Sequence, residues 1–250
     1  IIMKYIGVAE CFFINGLSFV PVIYGITLIS VPGYTSKKSS REISTLGNIR
    51  AGVRYILRHR ILLSSFFMMA IVCTFSMNTN VTLPVFAKDA LMGDEGTYSF
   101  LMSMVGVGSL FGALFMAVKG KEITYKYYLI LVAGILGIIQ MLTLFTSSLT
   151  VISVLLILIG FFNLCFLNGA NTRIQLHTEN RYRSRVMSMY TMVNTGSTPI
   201  GNSFTGLVMS LLSARFGFFI DGLVTVLLIL LVFNIYYRKN KVEKKIHVNI

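Results

Sequence analysis

Three rows of neutral hydrogen-bonding side chains recur at helical spacing in this 250-residue chain. The first holds Thr74, Asn78 and Thr82 at i, i+4 and i+8, with Asn80 beside them and Pro84 beyond. The second holds Gly160, Asn163, Asn171 and Gln175, with Asn168 adjacent, and the third Thr191, Asn194, Thr198, Asn202 and Thr205. Spacings of three and four place such residues on one helical face. Amides and hydroxyls bind and orient; they do not by themselves break bonds. No nucleophile–base constellation accompanies them, so no catalytic residues and no enzyme activity are expected. The three histidines (His59, His177, His247) lie outside the apolar stretches, and Cys11, Cys73 and Cys165 form no CxxC pair, so neither a metal site nor a cofactor is expected. The cysteines read as small apolar packing residues. A Gly-x-x-x-x-Gly-Lys-Ser/Thr phosphate loop is absent.

The elements that carry these rows are unusual in composition. Charged residues make up 12% of the chain and hydrophobic residues 55%, against about 25% charged in a soluble domain. Six windows lack Asp, Glu, Lys and Arg altogether: 11–36, 61–87, 97–118, 127–172, 186–214 and 222–237. About 20 apolar helical residues cross a bilayer core. The window 127–172 is too long for one crossing and has a polar break at Thr146–Thr150, which predicts two helices and a hairpin. Seven spans follow, at about 11–31, 61–86, 97–118, 127–145, 151–172, 186–213 and 217–237. The runs lack the two-residue alternation of barrel strands, so helices satisfy the backbone in lipid. The fold class is all-α, a polytopic membrane protein with seven transmembrane helices; a soluble enzyme, a secreted disulfide scaffold and a disordered tail are excluded.

The net charge of +13 is a topology signal. Seven basic residues fall in 37–60, three in 119–126, four arginines in 173–185 and five basic residues in 238–250. These segments share one side if every span crosses. The other side carries Lys88, Arg215 and, before the first span, Lys4, together with Asp89, Asp94 and Glu95. Lys and Arg accumulate on the cytoplasmic face, which predicts a cell-membrane protein with a cytoplasmic C-terminus. No basic stripe stands apart from these loops, so no nucleic-acid partner is expected. The only acids near the spans, Glu10 and Asp221, lie toward their outer ends and are expected at the interface.

The connection 32–60 is long. Pro32-Gly33 ends the first span, Ser39 and Glu42 have capping-box spacing, and Ile43, Leu46, Ile49, Val53 and Ile56 or Leu57 alternate with the arginine row Arg50, Arg54 and Arg58. That predicts a basic amphipathic helix on the cytoplasmic surface, its arginines toward headgroup phosphates. The expected organisation is a transmembrane helix in 1–36, a basic linker in 37–60, a six-helix bundle in 61–237 and a basic tail in 238–250. A six-helix block behind a long basic loop suits one half of a two-bundle transporter. A seven-helix receptor and a permease subunit served by a separate ATPase are the alternatives. The chain begins at Ile1 just before a span, which raises the expectation of a truncation.

Asn171-Thr172-Arg173-Ile174-Gln175-Leu176, then Arg183-Ser184-Arg185-Val186-Met187-Ser188, then Gly196-Ser197-Thr198-Pro199-Ile200-Gly201 resembles the passage from helix ten to helix eleven of the major facilitator superfamily. It is closest in type to the branch of enterobactin and macrolide exporters, whose Arg-Gly-Arg-Val-Met-Ser run has Gly where Ser184 stands. Phe12, Asn15, Ser18 and Phe19 are similar to that branch's sixth helix, and Leu83-Pro84-Val85-Phe86-Ala87 to the end of its seventh.

The resemblance implies helix six plus the C-terminal six-helix bundle of a major facilitator fold, with an N-terminal half-transporter as missing partner. It also implies proton-coupled efflux of an amphipathic small molecule (a drug, macrolide or siderophore) by alternating access. Helices seven and ten line the family's cavity, which implies lining roles for Thr74, Asn78, Thr82, Asn163, Asn168 and Asn171. Helix eleven, with Gly196, Pro199 and Gly201, would be scaffold near the half–half interface, and Pro199 removes one helix hydrogen bond and predicts a kink. Gly108 and Gly112, with Ala113 and Ala117, predict a close helix–helix contact that lets the halves approach. Arg183 and Arg185 would anchor the cytoplasmic end of that helix or act as a conformational latch.

Overall fold

The computed structural model describes residues 8–28, 45–119 and 127–238. Every regular element among them is helical. Two compact units divide between Ser44 and Thr45. The expectations for Lys4, Pro32-Gly33, the Ser39/Glu42 capping box, Ile43, the basic run at 120–126 and the tail beyond Arg238 fall outside the described residues, as does the side chain of Cys11.

The first unit contributes helix α1, Val8–Thr27, with Pro21 inside it. Hydroxyls in this apolar stretch bond back to their own helix: Ser18 Oγ donates to the Asn15 carbonyl and Thr27 Oγ1 to that of Tyr24, each at 2.7 Å.

The second unit starts with α2, Thr45–Arg58. Its arginine row is exposed, as the spacing predicts, but its apolar residues divide. Tyr55 and Ile56 are buried in the unit, whereas Ile49, Val53 and Leu57 are exposed. Tyr55 stacks on Tyr182 with ring centroids 4.2 Å apart, and its hydroxyl accepts the Glu179 backbone N–H at 3.2 Å. The helix thus packs on the turn after residue 176, with a cavity of about 450 Å³ between them lined by Arg54, Arg58, Glu179 and Arg181.

The 61–86 stretch, expected as one span, is interrupted. Helix α3 runs Arg60–Phe75 and α4 runs Thr79–Val85, followed by a π-helical turn Phe86–Ala90. Asp94 opens the next helix by accepting the Thr97 N–H at 2.9 Å, an N-cap bond. Helix α5 is Glu95–Lys119. Helix α6, Tyr128–Leu142, ends in a 3₁₀ turn, Thr143–Phe145, and α7 begins at Leu149 and runs to Leu176. The long window is therefore split at its polar break, as expected. Helix α8 is Arg183–Leu211, and α9, Ala214–Val232, ends in a second π-helical turn, Phe233–Arg238.

Five segments are long and apolar enough to cross a membrane: Arg60–Ala90, Glu95–Lys119, Tyr128–Phe145, Leu149–Leu176 and Ala214–Tyr236; Phe12–Thr27 is a shorter apolar helix. The chain is an all-α, multi-pass membrane protein. Helix α8, counted as a span for its lack of charge, has 29 residues but is not among the five. Its row of Thr and Asn side chains lowers its hydropathy. It is helical throughout, including at Pro199.

Packing within the bundle follows small residues. Helices α5 and α7 form its most extensive pairing. A Cβ on Gly108 would lie 1.9 Å from the Ile157 carbonyl oxygen, and one on Gly160 would lie 2.1 Å from that of Val105. Gly112 meets Phe161 at 2.8 Å in the same way. Backbones this close gain dispersion contacts that lipid tails cannot supply, which is how helices associate in a membrane. The Gly108–Gly112 contact lies inside the bundle, whereas Ala113 and Ala117 are exposed. Helix α9 packs against α6, α3 and α8, and α3 packs against α8.

Candidate functional site

The interruption of α3 sets up the site. Residues 76–78 leave the helix, and inside a membrane bundle their backbone groups need partners from neighbouring helices. The Ser76 N–H bonds back to the Val72 carbonyl, and the Ser76 carbonyl is served by Gln140 of α6. Its Nε2 donates to the Ser76 carbonyl at 3.0 Å, and Ser76 Oγ lies 3.0 Å from Gln140 Oε1 and 2.9 Å from Thr225 Oγ1 of α9. All three side chains are buried.

One step along, Asn78 reaches the other two helices. Its Nδ2 donates to the Thr74 carbonyl and to Thr205 Oγ1 of α8, both at 2.8 Å, and lies 3.4 Å from Asp221 Oδ2 of α9. Thr205 Oγ1 is 2.8 Å from both carboxyl oxygens of Asp221. Thr82 closes the turn by donating to the Asn78 carbonyl at 3.0 Å. Asn78 and Asp221 are each 2% exposed, and Thr205 and Thr82 have no exposed surface. Asp221, expected near the outer end of its span, is therefore buried among side chains of the bundle. The approach of α8 turns it inward.

Gly201 permits that approach. A Cβ there would sit 1.9 Å from the Thr74 carbonyl oxygen and 2.6 Å from Asn78 Oδ1. Asn78 Oδ1 itself is buried without a hydrogen-bond partner, and so are Asn163 Oδ1 on α7 and Asn202 Oδ1 on α8. An unbonded buried amide oxygen costs about 1–3 kcal/mol, so three in one bundle mark places where a donor from another molecule gains most.

The remaining expected residues spread out. Thr74, Asn163 and Asn171 are half-buried and Asn168 is exposed. Gln175 Nε2 donates to Asn171 Oδ1. Asn194 Oδ1 lies 3.3 Å from the Cys73 thiol, which joins α8 to α3 a second time. Cys73 and Cys165 are buried packing residues. Gly196 is exposed with nothing near its Cα, and Pro199 is exposed. Arg183 is exposed, whereas Arg185 packs its Cβ against Gly52 of α2 and its guanidinium lies 5.9 Å from the Tyr182 ring centre. Aromatic side chains flank the polar rows: Phe75 meets Phe204 edge-on with centroids 5.2 Å apart, as Phe161 meets Phe162 at 5.2 Å.

Sequence reading reached Asn78, Thr82 and Thr205 by spacing, and Gly201 through the resemblance of Gly196–Gly201. It missed Gln140 and Thr225, which stand singly among apolar residues, and Ser76, which falls between the members of the Thr74, Asn78 and Thr82 row. It also misplaced Asp221. A lone carboxylate just inside an expected span was the available signal, because an intramembrane acid is functional by default. Among the described residues no group of three or more His, Cys, Asp or Glu side chains is placed to hold a metal.

The family model described as transmembrane secretion effector matches residues 1–249. No curated protein matches the chain.

Proposed function

We propose that this chain, which belongs to the transmembrane secretion effector family of major facilitator type, carries an amphipathic small molecule outward across the cell membrane by alternating access. The chain is a multi-pass membrane transporter; the direction, the substrate class and the proton gradient as driving force are our reading. The six helices from α3–α4 to α9 form one bundle of a two-bundle transporter, with α1 as the equivalent of helix six, α2 as a basic linker and a further half-transporter as partner. The C-terminus is cytoplasmic.

The observation that carries this reading is the set of buried, unbonded amide oxygens on Asn163 and Asn202 of neighbouring helices α7 and α8. A drug, macrolide or siderophore offers both the hydrogen-bond donors these oxygens lack and apolar surface for Phe75, Phe161 and Phe162. Thr74, Asn163, Asn168 and Asn171 line the path, and Asn78 and Thr82 hold the helix break beside it. Membership in a transporter family favours this over the receptor and permease-subunit alternatives. Gly108 and Gly112 keep the α5–α7 pair rigid while the bundle tilts, and Gly201 keeps α8 against the break.

The test is accumulation of ethidium and of a macrolide under an imposed proton gradient in everted membrane vesicles that hold this chain together with its partner half-transporter. Uptake abolished by a protonophore is the expected result. Uptake of neither probe, or uptake indifferent to the gradient, would sink the proton-driven export reading. Arg183 and Arg185 act as a latch at the cytoplasmic end of α8. The Arg183→Ala protein is expected to transport more slowly with its topology intact, and an unchanged rate would leave the arginine only an anchoring role.

A further inference from the structure

Asp221 is a buried carboxyl whose chemistry nothing above uses. It lies seven residues into α9, roughly 10 Å along the helix axis from Ala214, and is 2% exposed. Its contacts are a hydroxyl and an amide, and no cation pairs with it among the described residues.

The hydrogens around it can be counted. Asn78 Nδ2 has two, and its acceptors at 2.8 Å are Thr74 O and Thr205 Oγ1. Thr205 Oγ1 has one hydrogen but stands 2.8 Å from both Asp221 oxygens. A hydroxyl has one O–H and two acceptor lone pairs. With the carboxyl ionised, the two short contacts must share the one hydroxyl hydrogen in a three-centre bond. With the carboxyl protonated, both are made: Thr205 donates to one oxygen while the acid O–H on the other donates back to Thr205 Oγ1. That oxygen's second lone pair takes the Asn78 amide. Each 2.8 Å contact among Asn78, Thr205 and Asp221 then has its own hydrogen, one more than the neutral partners supply.

The cluster also sits where a change of charge can move something. It joins α8 and α9 to the interrupted segment 76–78, where the Ser76 carbonyl accepts from Gln140. Discontinuous helices in transporters place ion sites where irregular backbone is buried in protein.

We propose that Asp221 is a proton-binding site that takes up a proton to lock α8 and α9 onto the helix break and releases it to loosen them. Uptake converts the carboxylate to a carboxylic acid with a proton drawn from water, and release reverses it. Thr205 is the positioning residue and Asn78 orients it. The link to transport rests on the export reading above; the proton site itself does not.

The other described titratable groups on α9 and on the elements packed against it are Arg215 on α9, Arg60 and Cys73 on α3, Tyr128 on α6 and Arg183, Arg185 and Tyr190 on α8, with Lys88 and Asp89 on the first π-helical turn and Tyr236 on the second. Among the described contacts none of these is a partner of Asp221; Arg215 donates instead to the Ala90 carbonyl at 3.3 Å. A direct oxygen-to-hydroxyl contact on each side of the carboxyl favours a proton over a metal cation, which would have to separate them.

The test is infrared difference spectroscopy of the full chain in lipid nanodiscs, between acid and alkaline buffer. A protonated-carboxyl band is expected in the wild type, unchanged in Thr205→Ser, shifted in Thr205→Val and absent in Asp221→Asn. An Asp221→Asn spectrum identical to that of the wild type would overturn the proposal. So would a band that responds to sodium at fixed pH, which assigns a cation instead. Should Asp221→Asn fail to fold, Thr205→Val decides, and an unshifted band rejects the site. A wild-type protein that shows the band but, together with its partner half-transporter, moves no ethidium under a proton gradient would refute the export reading alone. Gradient-driven ethidium uptake unchanged in Asp221→Asn would refute the coupling role.

Discussion

Gln140 and Ser76 exchange two hydrogen bonds across the bundle, amide to carbonyl and hydroxyl to amide oxygen, each 3.0 Å long. The pair gives the Ser76 carbonyl a partner where a membrane helix stops at Phe75 before restarting at Thr79. Interhelical polar contacts in membranes average about 0.6 kcal/mol, but this one replaces a backbone partner. Gln140→Leu should therefore destabilise the folded chain by about 1–3 kcal/mol, the cost of an orphaned buried acceptor. Thermal unfolding in detergent reads the effect; a midpoint equal to that of the wild type would mean that another group serves the Ser76 carbonyl.

Gly201 and Gly196 lie on one helix in opposite surroundings. A methyl group on Gly201 would collide with the Thr74 carbonyl oxygen, whereas Gly196 has nothing within 4 Å. Gly201→Ala is expected to force α8 away from the break at about 1–3 kcal/mol, the usual cost of overpacking. Gly196→Ala is expected to gain about 0.5–1 kcal/mol from helix propensity. Opposite shifts of the unfolding midpoint check both, and equal shifts would contradict the packing of α8 on α3.

The α5–α7 seam offers a parallel comparison. Gly108→Ala should disrupt it, because the added carbon meets the Ile157 carbonyl oxygen at 1.9 Å. Gly106→Ala, two residues away and facing open space, should fold at wild-type yield. Cross-linking of paired cysteines at Val105 and Ile157 measures the seam directly. Its efficiency should drop several-fold in the first variant and hold in the second.

Orientation follows from labelling at two exposed sites. Glu179 lies in the arginine-rich turn before α8, and Met92, 92% exposed, lies in the turn between the first π-helical turn and α5. In intact cells a membrane-impermeant maleimide should modify Met92→Cys and spare Glu179→Cys. The reverse pattern would invert the predicted topology.

What the sequence determined by itself was whatever depends on composition along a single line. Charge-free windows gave the helices, because a lipid core tolerates little else. The break Thr146–Thr150 gave the hairpin between α6 and α7, and Gly108–Gly112 gave a close contact. The spacing of Asn and Thr on α8 marked a face that turns inward at Thr205. Periodicity, however, says which side of a helix is polar and not which neighbour it meets. Only the tertiary structure decided that α3 stops at Phe75, because the stop depends on Gln140 arriving from 64 residues away. Only it turned Asp221 from a span end into the interior, through Thr205 and Asn78 on two other helices. Partners for buried polar groups come from distant segments brought together by packing, and no local pattern encodes them.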